Sequence, residues 1–118
     1  MTSDALANGV ALFNRGKFFE AHEILEDFWR AAPAEQKKFL QGLVQVAVAF
    51  HHHSTGNHTG MRSVLERATR NLAENSRCFD RINLPPLLAV LNEWLSAVKE
   101  GRPVPPLPLI ELSRKPEL

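Results

Sequence analysis

Residues 39–50 read Phe-Leu-Gln-Gly-Leu-Val-Gln-Val-Ala-Val-Ala-Phe. The run is too long for an ordinary strand of about 5–6 residues and too short to cross a bilayer, which takes about 20. It therefore reads as a helix enclosed on most sides, and the rest of the chain must supply the elements that enclose it. Only Gln41 and Gln45 interrupt its apolar side chains. On a wheel advancing about 100° per residue, Gln41, Gln45 and His52 fall within about 40° of one another, bordered by Val48. A narrow polar stripe on a buried helix is costly unless its groups meet hydrogen-bond or ligand partners.

Residues 18–29 supply candidate partners. Phe18, Ala21, Leu25, Phe28 and Trp29 form one apolar arc of an amphipathic helix, and Glu20, Glu23, Asp27 and Arg30 occupy the opposite side. His22 falls beside Trp29 and Phe18, with Glu26 about 40° further round. His22 and Glu26 are one helical turn apart and can reach a common partner. The economical arrangement turns the Gln41/Gln45/His52 stripe toward them. This predicts a polar core site of His22, Glu26, Gln41, Gln45 and His52, with the Trp29 indole N–H donating to a polar group there.

Two chemistries suit such a site. In a metal-free network, Glu26 fixes the His22 tautomer and the glutamines satisfy the remaining groups. Alternatively, His22, Glu26 and His52 hold one divalent ion (zinc, iron or manganese), with Gln45 orienting a water or another ligand. The order His22-Glu23-x-x-Glu26 invites comparison with the zinc-protease pattern His-Glu-x-x-His, but the second histidine is replaced. Glu23 points about 100° away from His22 and reads as a surface charge. A small-ligand pocket, or no convergence of these groups at all, is the remaining reading. His51, His52 and His53 are consecutive and cannot converge on one ion from a single helix. His51 lies near Val44 and Ala47 and reads as packed between helices, and His53 and His58 read as solvent-facing.

Helical periodicity dominates the remaining chain. Ser3 can cap a first helix through about Asn14; Gly16 closes a turn; the second helix runs from about Phe18 to Ala31. Pro33 opens the third, which continues to His53 or Ser54. A fourth follows from about Thr59 to Asn75, and Asn83-Leu84-Pro85-Pro86 starts a fifth that ends at Gly101. Gly16 and Gly56 are 40 residues apart, and Ala21/Met61, Ile24/Val64, Leu25/Leu65 and Glu26/Glu66 align at the same offset. The fold class expected is all-α: a five-helix bundle of antiparallel hairpins with a tetratricopeptide-like local layout. From Arg102 the chain is proline-rich, with Pro103, Pro105, Pro106 and Pro108, yet residues 102–118 retain Val104, Leu107, Leu109, Ile110 and Leu112. They read as an extended arm whose apolar side chains lie on the helices.

The 118 residues suit a single domain, residues 1–118, with its helical core at about 3–101. Lys+Arg number 14 against 13 Asp+Glu, with no basic block, so nothing points to nucleic acid. Cys78 is the lone cysteine, which leaves neither an internal disulfide nor a thiolate metal site. No secretory leader or membrane segment is legible, and the expected location is the cytoplasm. Phe19, Phe39 and Phe50 project from more than one helix face, which favours a homodimer.

The stretch Phe13-Asn14-x-Gly16-x-Phe18-Phe19-Glu20-Ala21-His22-Glu23-x-Leu25-Glu26-x-x-Trp29-Arg30 resembles the signature of a small all-helical bacterial and archaeal family, domain of unknown function 309. The likeness continues through Gln41-Gly42-Leu43-x-Gln45-x-Ala47-x-Ala49, His52, Gly56-Asn57 and Leu65, covering roughly residues 5–75. It implies a helical bundle and draws attention to His22, Glu23, Glu26, Gln45 and His52. Members are sometimes labelled predicted metal-dependent hydrolases. Two functions are therefore in view. The first is a non-catalytic interaction or regulatory module that binds a protein partner or itself; the second is a metal-dependent hydrolase using His22, Glu26 and His52.

Overall fold

A computed structural model describes residues 4–113. Among them are five α-helices: α1 (Ala5–Asn14), α2 (Phe18–Ala31), α3 (Lys37–Ser54), α4 (His58–Glu74) and α5 (Leu84–Glu100). One 3-10 turn, Ala34–Gln36, stands between Pro33 and α3. Each helix packs chiefly against its neighbours in sequence, which draws the molecule out to 46 × 25 × 24 Å.

Ser3, expected as the cap of α1, lies outside the described residues. Asp4 holds the cap position, and its carboxylate accepts the Ala7 amide at 3.3 Å. Burial opposes the Asp4 anion, but the Ala7 amide and the Arg81 guanidinium outweigh it and hold the carboxyl below its ordinary value. The Asp4–Arg81 ion pair also ties the start of α1 to the α4–α5 connection.

Gly16 and Gly56 both have φ of +80°, where a side chain would be strained. Their turns make the same hydrogen bonds at the 40-residue offset. Lys17 N–H donates to Leu12 C=O at 2.9 Å and Asn57 N–H to His52 C=O at 2.9 Å. Gly16 N–H donates to Phe13 C=O at 2.9 Å and Gly56 N–H to His53 C=O at 3.1 Å. These bonds satisfy carbonyls that the helix ends leave free. The weak sequence repeat thus corresponds to two matching helix–glycine–helix turns.

The central helix is α3, as its composition requires: Phe39, Leu40, Leu43, Val46, Ala47, Ala49 and Phe50 are all buried. Phe50 meets Phe13 of α1, Phe18 of α2 and Trp94 of α5, with ring centroids 6.0, 5.9 and 5.0 Å away. Phe39 stacks on Phe79 at 5.3 Å, and Phe28 approaches the same ring at 6.3 Å. Phe39 and Phe50 therefore close the core. The expectation that they add apolar surface is corrected, and Phe19 alone of the three is exposed. Gly42 serves a close crossing. A Cβ there would stand 3.1 Å from the Ala68 carbonyl oxygen and 3.0 Å from Leu72 Cγ, both on α4.

Beyond α5 the chain turns at Gly101, φ +66°, and continues in extended form. Asn14 grips it with both ends of its amide: Nδ2 donates to Ile110 C=O at 2.9 Å, and Oδ1 accepts Ile110 N–H at 2.8 Å. Asn83 N–H donates to Glu111 C=O and Ser113 N–H to Arg81 C=O, both at 2.8 Å, around an antiparallel bridge between Ile82 and Leu112. The Trp94 indole donates to Pro106 C=O at 3.0 Å. Side chains in an extended segment alternate between faces, so Pro108 and Ile110 are buried while Val104, Leu107, Leu109 and Leu112 are exposed. The expectation that all five aliphatic side chains pack inward is corrected to Ile110 alone. Backbone hydrogen bonds to Asn14 and Arg81–Asn83 hold most of this segment. Asn14→Ala is expected to lower stability by about 1–2 kcal/mol, from two lost hydrogen bonds. It should also speed amide exchange at Ile110 in a hydrogen-exchange measurement; unchanged exchange there would show that another contact holds the segment.

Candidate functional site

His22 and Glu26 do meet. His22 Nε2 stands 3.2 Å from Glu26 Oε2 one turn along α2, with both side chains about a third exposed (27% and 32%). The other Glu26 oxygen accepts Arg30 Nη2, and Arg30 Nη1 donates to Asp27 Oδ1 at 3.0 Å. Periodicity explains the row, since Glu26 lies four residues from both His22 and Arg30. Glu23 is exposed, as its wheel position implies.

The Gln41/Gln45/His52 stripe faces elsewhere. Gln45 Oε1 accepts Asn71 Nδ2 of α4 at 2.9 Å. His52 Nδ1 is 3.3 Å from Asn57 Nδ2 in the α3–α4 turn. Asn57 Oδ1 caps α4 by accepting Gly60 N–H at 2.9 Å, so its amide nitrogen is the end that donates to His52. Gln41 is half-buried on the same stripe. The physical reason is Gly42: lacking a side chain, it draws α4 onto that side of α3, where Ala68 and Asn71 close over it. The stripe therefore serves the α3–α4 contact, and the expected convergence on His22 and Glu26 is replaced by separate pairings. A double-mutant cycle on Gln45→Ala and Asn71→Ala is expected to return a coupling of about 0.5–1.5 kcal/mol. Coupling near zero would mean the pair does not tie the helices.

Trp29 also differs from expectation. Half-buried, its indole N–H donates to Lys37 C=O at 3.1 Å, away from His22. Lys37 Nζ in turn donates to the Trp29 and Arg30 carbonyls at 2.8 and 2.9 Å and lies 4.8 Å from the indole ring centroid. Lys37 thus satisfies the carboxyl end of α2, where a cation is favoured.

The imidazole that α3 presents toward α2 is His51. Phe19 stands 5.4 Å from His51 and 6.1 Å from His22 between ring centroids. With Val48 these residues line an almost wholly apolar niche of about 90 Å³. His51 follows Val44 and Val48 at helical spacing, a signal available in the sequence but obscured by the more polar stripe next to it. His53, expected in solvent, is half-buried with its ring 5.0 Å from Trp94. His58 is exposed as expected.

Three oxygen or nitrogen donors around one point are the minimum for the metal reading. Among the described residues no group of three His, Cys, Asp or Glu side chains is so placed. Arg30 further sets a positive charge against Glu26. The residues present at His22, Glu26 and His52 do not fit the ion. Among the described residues, no helix is long and apolar enough to cross a membrane.

Comparison with known proteins adds a family and no activity. An "Uncharacterized protein" of Aquifex aeolicus (strain VF5) is 36% identical over 102 residues, which is 86% of this chain and 31% of that protein. The "Uncharacterized protein YpuF" of Bacillus subtilis (strain 168) is 34% identical over 68 residues, 57% of this chain and 39% of its own length. The chain thus covers about a third of the length of these relatives. Residues 6–64, which span α1, α2, α3 and the start of α4, match the domain of unknown function DUF309, and the chain belongs to that family.

Proposed function

We propose that the protein is a non-catalytic helical interaction module. The observation that carries this reading is how its polar side chains are engaged. Gln45 ties α3 to α4, His52 braces the turn between them, Trp29 and Lys37 join α2 to α3, and Glu26 is shared by His22 and Arg30. Gln45, Trp29 and Lys37 hold helices in register, and the His22–Glu26–Arg30 row is paired within α2, so each of these groups already has a partner. The relatives support the reading from another side, because the same domain occurs within chains of very different length, as a transferable module does. In this view residues 1–118 are one cytoplasmic domain with two tetratricopeptide-like hairpins, α1–α2 and α3–α4, and residues 102–113 belong to an arm whose expected continuation to 118 lies outside the described residues.

Metal content distinguishes this reading from the hydrolase. Elemental analysis of untagged protein, purified without chelator, is expected to find zinc, iron and manganese well below one equivalent, unchanged by His22→Ala or His52→Ala. Stoichiometric metal that both substitutions remove would overturn the module reading.

A further inference from the structure

Five large apolar side chains among the described residues are exposed: Phe19 at 50%, Val104 at 43%, Leu107 at 48%, Leu109 at 63% and Leu112 at 39%. They fall on two separate parts of the surface. Phe19 belongs to the concave niche it shares with His22, Val48 and His51. The other four lie on the C-terminal segment, where Leu107, Leu109 and Glu111 alternate with buried Pro108 and Ile110 and so project outward together. An extended segment anchored by its backbone here presents Leu107 and Leu109 to water, and among the described residues nothing covers them.

We propose that the leucine row of one copy docks in the Phe19/His22/Val48/His51 niche of a second copy. The inference rests on the interaction-module reading and names the partner. A niche of about 90 Å³ suits a single branched aliphatic side chain, smaller than the 150 Å³ cavity that admits benzene. Its lining offers ring faces and a valine to such a side chain. Polar groups match as well. Glu111, two residues beyond Leu109 on the same face, is an exposed carboxylate, and the rim of the niche carries the His51 imidazole, whose N–H is a suitable donor. The docking element and the niche are different parts of the surface, so the contact is heterologous. It closes as a pair when two copies exchange segments reciprocally and propagates when they do not.

Sedimentation of the full chain reads this directly. The wild-type weight-average mass is expected to climb above 13.3 kDa between about 10 μM and about 1 mM protein. Leu109→Asp removes the knob and Phe19→Asp spoils the niche. Both positions are exposed, so circular dichroism and melting should remain near wild type. Each variant alone is expected to associate at least about tenfold more weakly. An equimolar mixture should associate more tightly than either variant alone, because the intact niche of one and the intact leucine row of the other restore one of the two contacts of a reciprocal pair. A wild-type chain that stays monomeric across this range overturns the proposal. So does association that either variant leaves unchanged, or a mixture that behaves as the sum of its components. A monomeric result leaves the metal analysis, and with it the non-catalytic reading, untouched; stoichiometric metal sinks that reading whatever the mass.

Discussion

Phe50→Ala is expected to destabilise the protein by about 3–5 kcal/mol, the usual cost of truncating a buried aromatic. Phe50 is fully buried, and its ring sits where four helices meet: Phe13 of α1, Phe18 of α2 and Trp94 of α5 all approach it from their own elements. Deleting it removes edge-to-face contacts with Phe13 and Trp94 and opens a cavity that rigid helices cannot fill by a local shift. A domain of this size has about 5–15 kcal/mol in hand, so the loss is a large share of the total. Denaturant melts followed by circular dichroism measure it, with Phe19→Ala as the control. Phe19 is half exposed, and its truncation should change stability by less than about 1 kcal/mol. Equal effects at the two positions would show that the aromatic cluster is not the centre of the core.

Gly42→Val is expected to cost about 2–4 kcal/mol by overpacking, with Gly42→Ala intermediate between it and the native glycine. A Cβ at this position meets Leu72 Cγ at 3.0 Å, Asn71 Cβ at 3.1 Å and the Ala68 carbonyl oxygen at 3.1 Å. The last of these is backbone, and it cannot yield unless α4 moves as a body. Alanine would gain about 1 kcal/mol of helix propensity over glycine, which offsets part of the strain; valine loses part of that gain and adds two methyl groups. The displacement should also break the Gln45–Asn71 hydrogen bond, so the coupling measured by the double-mutant cycle should vanish in the Gly42→Val background. A Gly42→Ala variant more stable by the full propensity gain would contradict the close crossing.

Much of the architecture was legible in residues 16–101. The Phe39–Phe50 run has the length and composition of a buried helix, and that is where α3 lies. Gly16, Gly56 and Gly101 mark three helix ends because each occupies a positive φ that other residues resist. Pro85 and Pro86 mark the start of α5 because the first turn has no use for their missing amides. The i, i+4 relation likewise put His22 beside Glu26. The C-terminal segment is less legible. Its aliphatic content suggested packing, but an extended chain buries alternate residues, and the register that selected Ile110 over Leu109 was set by Asn14, nearly a hundred positions away.

The polar stripe marks the boundary. That Gln41, Gln45 and His52 share one face of α3 is a property of the helix, and the sequence determines it alone. Which neighbour that face meets is a property of two helix crossings, and only the tertiary structure decided it. Gly42 allows α4 to approach more closely than a side chain would permit, so the stripe became the α3–α4 contact, paired with Asn71 and Asn57. His51, one residue and about 100° away, then fell to the α2 side and met Phe19. A wheel projects one helix at a time and carries no information on the rotation of that helix relative to its neighbours, because that angle is set by the summed packing of side chains from distant parts of the chain.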